Sequence, residues 1–161
     1  MTRAVLDAVL SALRAEGLTA VAQYPGQALD KKTPMVCVGV RSQTLEPAAF
    51  GQYLGRQEVQ GAVAERYGVK AEMTVLLDLY LPPARAGECQ ALFAKIAAAL
   101  SALPAGVRLR KLTRGELAPD PATQMLRCPC AVDCDAWFTG LREEDGETWL
   151  EFQLKGVLRN E

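Results

Sequence analysis

The stretch Ala71-Glu72-Met73-Thr74-Val75-Leu76-Leu77-Asp78-Leu79-Tyr80-Leu81 decides the fold class. Met73, Val75, Leu77, Leu79 and Leu81 take every second position, with Glu72, Thr74, Asp78 and Tyr80 on the other set. Successive side chains of a strand point to opposite faces, so the segment is predicted to be a half-buried strand; only Leu76 breaks the alternation, and Pro82-Pro83 ends it. The segment that follows can cover this apolar face. From about Gly87 to Leu103, Cys89, Leu92, Phe93, Ile96, Leu100 and Leu103 fall along one helical stripe beside many alanines, which lets a helix pack closely on a sheet. Pro104 and Gly106 stop it.

Toward the N-terminus, Val5, Leu6, Val9, Leu10 and Leu13 recur at helical spacing between Thr2 and Glu16, and Gly17 suits a left-handed C-terminal stop. Asp7, Ser11 and Arg14 interrupt the run, so it reads as an amphipathic helix and not as a signal peptide. Thr19 to Tyr24 is predicted to be a short strand ended by Pro25-Gly26. A polar loop through Asp30-Lys31-Lys32-Thr33-Pro34 then leads into a second strand, Met35 to Val40, with the β-branched residues 36, 38 and 40 on one face. An antiparallel hairpin is the simplest pairing of the two. In residues 46–70, Pro47 and glycines 51, 55 and 61 interrupt any period, and Phe50, Tyr53 and Leu54 are scattered large side chains. A long projecting loop or a loosely paired ribbon is expected there, ordering against a neighbour.

Toward the C-terminus, Val107 to Leu117 reads as a strand and Ala118-Pro119-Asp120-Pro121 as the turn that reverses it into another hairpin. In the second arm Leu126, Cys128, Cys130, Val132, Cys134, Ala136 and Phe138 alternate with Arg127, Asp133, Asp135 and Thr139. Pro129 cannot donate to a ladder, which places the strand at an edge or bulges it there. After the polar turn Arg142-Glu143-Glu144-Asp145-Gly146, a terminal strand carries Leu150, Phe152, Leu154 and Leu158 on one face.

At 161 residues and 17.4 kDa, the chain is expected to form one domain, residues 1–161. Half of it is apolar, which excludes intrinsic disorder. Its 18 Lys and Arg against 19 Asp and Glu give a net charge of −1, so no global field draws it to DNA or anionic lipid. No apolar run approaches the roughly 18–20 residues of a membrane-spanning helix, so a soluble protein is expected. There is no histidine, which removes the commonest metal ligand and the base of the usual Ser and Cys triads, and with them most familiar hydrolases.

Five cysteines, Cys37, Cys89, Cys128, Cys130 and Cys134, are odd in number and irregularly spaced, which fits reduced thiols and synthesis in a cytoplasm. Cys128, Cys130 and Cys134 could offer three soft ligands, with Cys37 or Cys89 as a fourth. Their spacing lacks the Cys-x2-Cys knuckles of structural zinc sites, and they share a face with Leu126, Val132 and Phe138, so a thiol core is predicted. Arg108 and Arg110 alternate on one strand face, with Lys111 and Arg114 close by, but no aromatic residues interleave them as in a nucleic-acid platform. A solvated face or subunit salt bridges is the better reading. Glu143-Glu144 and the Asp133/Asp135 pair read as polar sides of a turn and a strand, not as paired catalytic acids, and the glycines form neither a phosphate loop nor a dinucleotide fingerprint. No catalytic residue, cofactor-binding residue or metal ligand is assigned.

Four phrases carry a family resemblance: Met35-Val36-Cys37-Val38-Gly39-Val40; Phe50-Gly51-Gln52-Tyr53-Leu54-Gly55; Lys70-Ala71-Glu72-Met73-Thr74-Val75-Leu76-Leu77-Asp78-Leu79-Tyr80; and Glu151-Phe152-Gln153-Leu154-Lys155-Gly156-Val157-Leu158. In these and in the order of its elements the chain resembles tail-completion (tail terminator-like) proteins of phages and prophages of Gram-positive bacteria. With the element order, that resemblance implies a single α+β domain: a mostly antiparallel curved sheet of about five to six strands with two helices packed on one face. It further implies a structural protein, not an enzyme. Its copies would form a ring, commonly a hexamer, that caps the tail tube and meets the head-connector proteins. The chain would be assembled in the bacterial cytoplasm and reside in the virion tail, with no cofactor, membrane or specific nucleic acid. Phe50, Gln52, Tyr53, Leu54, Arg56, Arg108 and Arg110 are the expected assembly contacts. The alternative class is a small α+β enzyme, or a host small-molecule-binding or adaptor domain.

Overall fold

The computed structural model describes residues 2–22 and 31–143. The Pro25-Gly26 turn, the turn beyond Glu143 and the terminal strand around Leu150 to Leu158 lie outside them. The described residues form an α+β domain of two α-helices and one mostly antiparallel, eight-stranded sheet. In chain order the elements are α1 (Thr2–Ala15), β1 (Ala20–Ala22), β2 (Met35–Pro47), β3 (Tyr53–Val59), β4 (Ala62–Leu81), α2 (Cys89–Ser101), β5 (Val107–Arg114), β6 (Ala118–Asp120), β7 (Met125–Cys128) and β8 (Cys130–Glu143).

Eight strands, not five or six, arise because three long strands are interrupted while their neighbours run on. β2 pairs with residues 69–80 of β4, and β3 continues along the same edge against residues 62–67. On the other edge β8 pairs with residues 64–76 and β7 with residues 79–81. β5 and β6 lie outside β8 and β7 in the same way. The sheet is thus five ranks wide, with the 20-residue β4 at its centre, about 65 Å long at roughly 3.3 Å per residue.

Pro129 causes the interruption between β7 and β8. It has no N–H to give, so the ladder lapses opposite Leu77 and Asp78 of β4. The expectation of an edge at Pro129 is corrected, because β7 and residues 130–136 of β8 are flanked on both sides. Pro129 instead accepts a 2.7 Å bond at its carbonyl from the amide of Gly115, the joint between β5 and β6. A Cβ on Gly115 would lie 2.7 Å from Pro129 Cγ, so that joint requires glycine.

β1 and β2 run parallel, not as an antiparallel hairpin. Residues 23–34 separate them, long enough for a crossover and far longer than a tight turn, and the Val36 amide bonds to the Thr19 carbonyl at 2.8 Å. α1 ends as expected: Gly17 has φ 78°, its amide bonds to Arg14 O, and the Leu18 amide reaches Leu13 O, a Schellman stop.

The odd-numbered residues Met73 to Leu81 of β4 are fully buried in one cluster with Val5, Val9, Leu10 and Leu13 of α1 and with Ile96, Ala99 and Leu100 of α2. Both helices therefore cover the same face of the sheet. Burying each such side chain contributes about 1.5–3 kcal/mol, so this seam is the chief source of stability. A small second cluster, Met35, Cys37, Tyr80 and Met125, sits on the opposite face.

Candidate functional site

Residues 46–70 form a paired ribbon, not one long loop, and residues 48–52 connect it to β2. β3 and the first part of β4 form a hairpin whose two-residue turn, Gln60-Gly61, has φ 51° and 83°, the left-handed pair of a type I′ connection. β8 pairs with the same part of β4 from the other side, making an arm of three ranks. The helices pack on β1, β2, β5 and the Met73–Leu81 half of β4. The Ala62–Lys70 half, about 30 Å at strand rise, lies beyond that buried cluster.

All four exposed large apolar side chains among the described residues lie on this arm, Tyr53 and Val63, or where β2 leads into it, Leu45 and Phe50. Leu45 pairs with Ala71 and Tyr53 with Tyr67, so both share the sheet face of Val63 and of helix-packed Met73. Phe50 stands fully exposed (102%) in the 3-10 turn Phe50–Gln52 between β2 and β3. Gly51 and Gln52 there have φ 60° and 65°, a reversal that turns Phe50 away from the sheet.

The other expected contacts on the arm divide. Tyr53 packs edge-on against Tyr67, ring centres 5.6 Å apart, and stays partly exposed. Leu54 is used internally, lying over Gly68, where a Cβ would come within 2.5 Å of its Cδ1. Arg56 is exposed and stands across the ladder from Glu65. Gln52 is half-buried. Leu45 and Val63 were not expected, and neither was the turn. The alternation Val59, then Gln60-Gly61, then Ala62 marks that turn once strands are assigned on both sides.

Arg108 and Arg110 lie on β5, on the opposite margin of the sheet from β3. A bulge between Leu109 and Lys111 leaves Arg110 as the extra residue and returns Leu112 to the core face opposite Val132. Arg108 is exposed and level with Asp135. Arg110 is engaged within the chain: its Nε lies 3.3 Å from Asp135 Oδ1, without hydrogen-bond alignment, and its Nη1 lies 3.7 Å from Glu72. Lys70 joins the same group with a 2.7 Å bond to Glu72, which raises the Lys70 pKa and lowers that of Glu72. Around Glu72 the helix-free face is thus a charge network, with Thr74 donating to Asp133 at 2.7 Å beside it.

All five cysteines are free and buried, Cys128, Cys130 and Cys134 on the face that the alternation predicted. Burial pushes the Cys130 thiol up to about 12 and that of Cys134 up to about 11, and it also raises Cys37 and Cys128. Cys89 and Cys128 both line a cavity of about 600 Å³ together with Gly87, Gln90, Arg114, Glu116 and Leu117, and the Cys128 thiol donates to the Gly115 carbonyl at 3.5 Å. The Arg114 guanidinium bonds to Gln90 and lies 5.5 Å above the Phe93 ring. No sequence period could have found this cavity, because α2, β5 and β7 meet there from remote parts of the chain.

The arrangement offers surfaces and a thiol-lined cavity. Among the described residues there is no group of three ligands that could hold a metal ion, and no helix is long and apolar enough to cross a membrane. No protein-family model matches the chain, and no curated protein matches it either.

Proposed function

We propose that this chain is a structural subunit of a phage or prophage tail. Its copies form a ring that completes the tail tube or joins it to the head connector, through subunit contacts and without catalysis. Phe50 carries the reading. A fully exposed phenylalanine in the turn between β2 and β3, with Leu45, Tyr53 and Val63 also exposed on the adjoining strands, is costly to leave in water and suits a surface that another chain covers. A ring also needs two different patches, one to meet the next subunit's other patch. The β3 margin of the arm and the β5 margin bearing Arg108 lie on opposite sides of the sheet and supply such a pair. The bulges at Val40/Ser42 and Leu109/Lys111 are devices that bend a sheet, which supports the curved form expected of a ring subunit.

The cavity beside Cys89 favours a second reading, a small-molecule-binding domain, because about 600 Å³ is the size of an ordinary ligand site. Light scattering on a sizing column separates the two. Under the first, the chain forms a concentration-dependent closed oligomer, and Phe50→Asp weakens association at least about tenfold while leaving the melting temperature unchanged. A strict monomer at high concentration, or a Phe50→Asp variant that assembles normally, overturns the assignment of the arm.

A further inference from the structure

We infer that Cys89 and Cys128 form a thiol-exchange site that reacts with a low-molecular-weight disulfide entering the cavity between α2 and the β5–β6 joint. Three observations meet here. Both cysteines line one cavity of about 600 Å³, which has room for a peptide-sized disulfide. Cys89 lies close enough to Cys128 to help raise its pKa, which places the sulfur of one beside a disulfide formed on the other. Arg114, fixed by Gln90 and Phe93 on the cavity wall, supplies a cation for a ligand carboxylate.

The order of events follows from exposure. Cys89, at the first residue of α2, is 8% exposed, whereas Cys128 is completely covered. Cys89 sulfur attacks one sulfur of the small disulfide, forming a mixed disulfide and expelling one small thiolate, which takes the Cys89 proton. Cys128 sulfur then attacks the Cys89 sulfur of that mixed disulfide. The Cys89–Cys128 bond forms, and the second small thiolate leaves with the Cys128 proton. Two protein thiols are oxidised and one small disulfide is reduced to two thiols, so atoms and electrons balance. Cys130 does not compete for the small disulfide, because it does not line the cavity. Cys37 and Cys134 are buried in other parts of the sheet.

The test treats the folded full-length chain with oxidised glutathione, alkylates the remaining thiols, and fragments the non-reduced peptides. Fragmentation is needed because Cys128, Cys130 and Cys134 fall in one tryptic peptide. The expected product links Cys89 to Cys128, with Cys37, Cys130 and Cys134 alkylated only after unfolding. Cys128→Ser should stop at one glutathionyl group on Cys89, and Cys89→Ser should give neither adduct nor link. A Cys128–Cys130 link, a stable glutathionyl adduct on the unsubstituted chain, or no reaction until urea is added overturns the inference. The mapping on the unsubstituted chain decides it even if a variant fails to fold.

Discussion

Replacing Arg127 by methionine should destabilise the protein more than neutralising its partner Asp78. Arg127 Nη2 bonds to Asp78 Oδ2 at 2.7 Å, and Asp78 Oδ1 and Arg127 Nε have no hydrogen-bond partner. The two ends differ in access to water: the Asp78 side chain is 5% exposed and that of Arg127 43%. Removing the guanidinium strands a carboxylate that water cannot reach. Breaking a buried pair in this way costs about 3–5 kcal/mol, and the partial exposure of Arg127 places this case near about 3 kcal/mol. Asp78→Asn keeps the shape and leaves a cation that can turn into solvent, a cost of about 1 kcal/mol. In a domain of this size 1 kcal/mol moves the melting temperature by about 2–4 °C, so Arg127→Met should lower it by about 6–12 °C and Asp78→Asn by about 2–4 °C. The decisive measurement is Asp78→Asn added to Arg127→Met, followed by circular dichroism in a thermal ramp. Neutralising the stranded carboxylate should recover part of the loss. If the second substitution lowers the melting temperature further, or if Asp78→Asn alone costs as much as Arg127→Met, the pair acts by packing and the electrostatic reasoning fails.

Gly115→Ala should cost about 1–3 kcal/mol, because the new Cβ meets the ring of Pro129 at 2.7 Å; urea midpoints equal to those of the parent would contradict this. Gln60→Asn should stabilise by roughly 0.5 kcal/mol, since asparagine tolerates φ 51° better at the first position of the hairpin turn, and a lowered melting temperature would refute it. Stability should also fall in alkali. Unfolded thiols lose their protons near pH 9, whereas folded Cys134 holds its proton to about 11 and Cys130 to about 12, so rising pH favours the unfolded chain throughout that window. Melting temperatures measured across it should decline, and the decline should flatten in a Cys130→Ala/Cys134→Ala variant; an equal slope in both proteins would argue against buried thiols as its source.

The central strand, both helices and the thiol face of β8 were legible because each is a periodic segment whose burial follows its own sequence. Met73 to Leu81 and Val5 to Leu13 needed no knowledge of the rest of the chain. The direction of β1 against β2 was not legible, because alternation at Val36, Val38 and Val40 sets which face is buried and carries no information about the neighbour's direction. The bulge at Arg110 could have been read. Leu109 and Leu112 are three apart, and a strand buries both only if one residue between them is extra. The cavity was beyond reach, since Cys89 and Cys128 each look like ordinary core cysteines within their own elements.

What separates the arm from the rest of the sheet is a change within β4 at Ala71. Beyond it, the helix-side positions are Met73, Val75, Leu77, Leu79 and Leu81, a continuous apolar row that demands a cover, and α1 and α2 supply it. Before it, the same face reads Val63, Glu65, Tyr67 and Val69, apolar groups divided by a charge, with Tyr67 donating to Glu65. A row of that kind can stand in water and can also meet a second surface, and Leu45 and Tyr53 extend it across to β2 and β3. The opposite face of the arm is closed from within, by Leu54 and Ala48 over Gly68. One face of the arm is therefore satisfied by the chain itself and the other is left half-apolar. A partner should consequently approach from the helix side, and substitutions at Val63 or Tyr53 should weaken association where substitutions at exposed positions on the back of the hairpin do not.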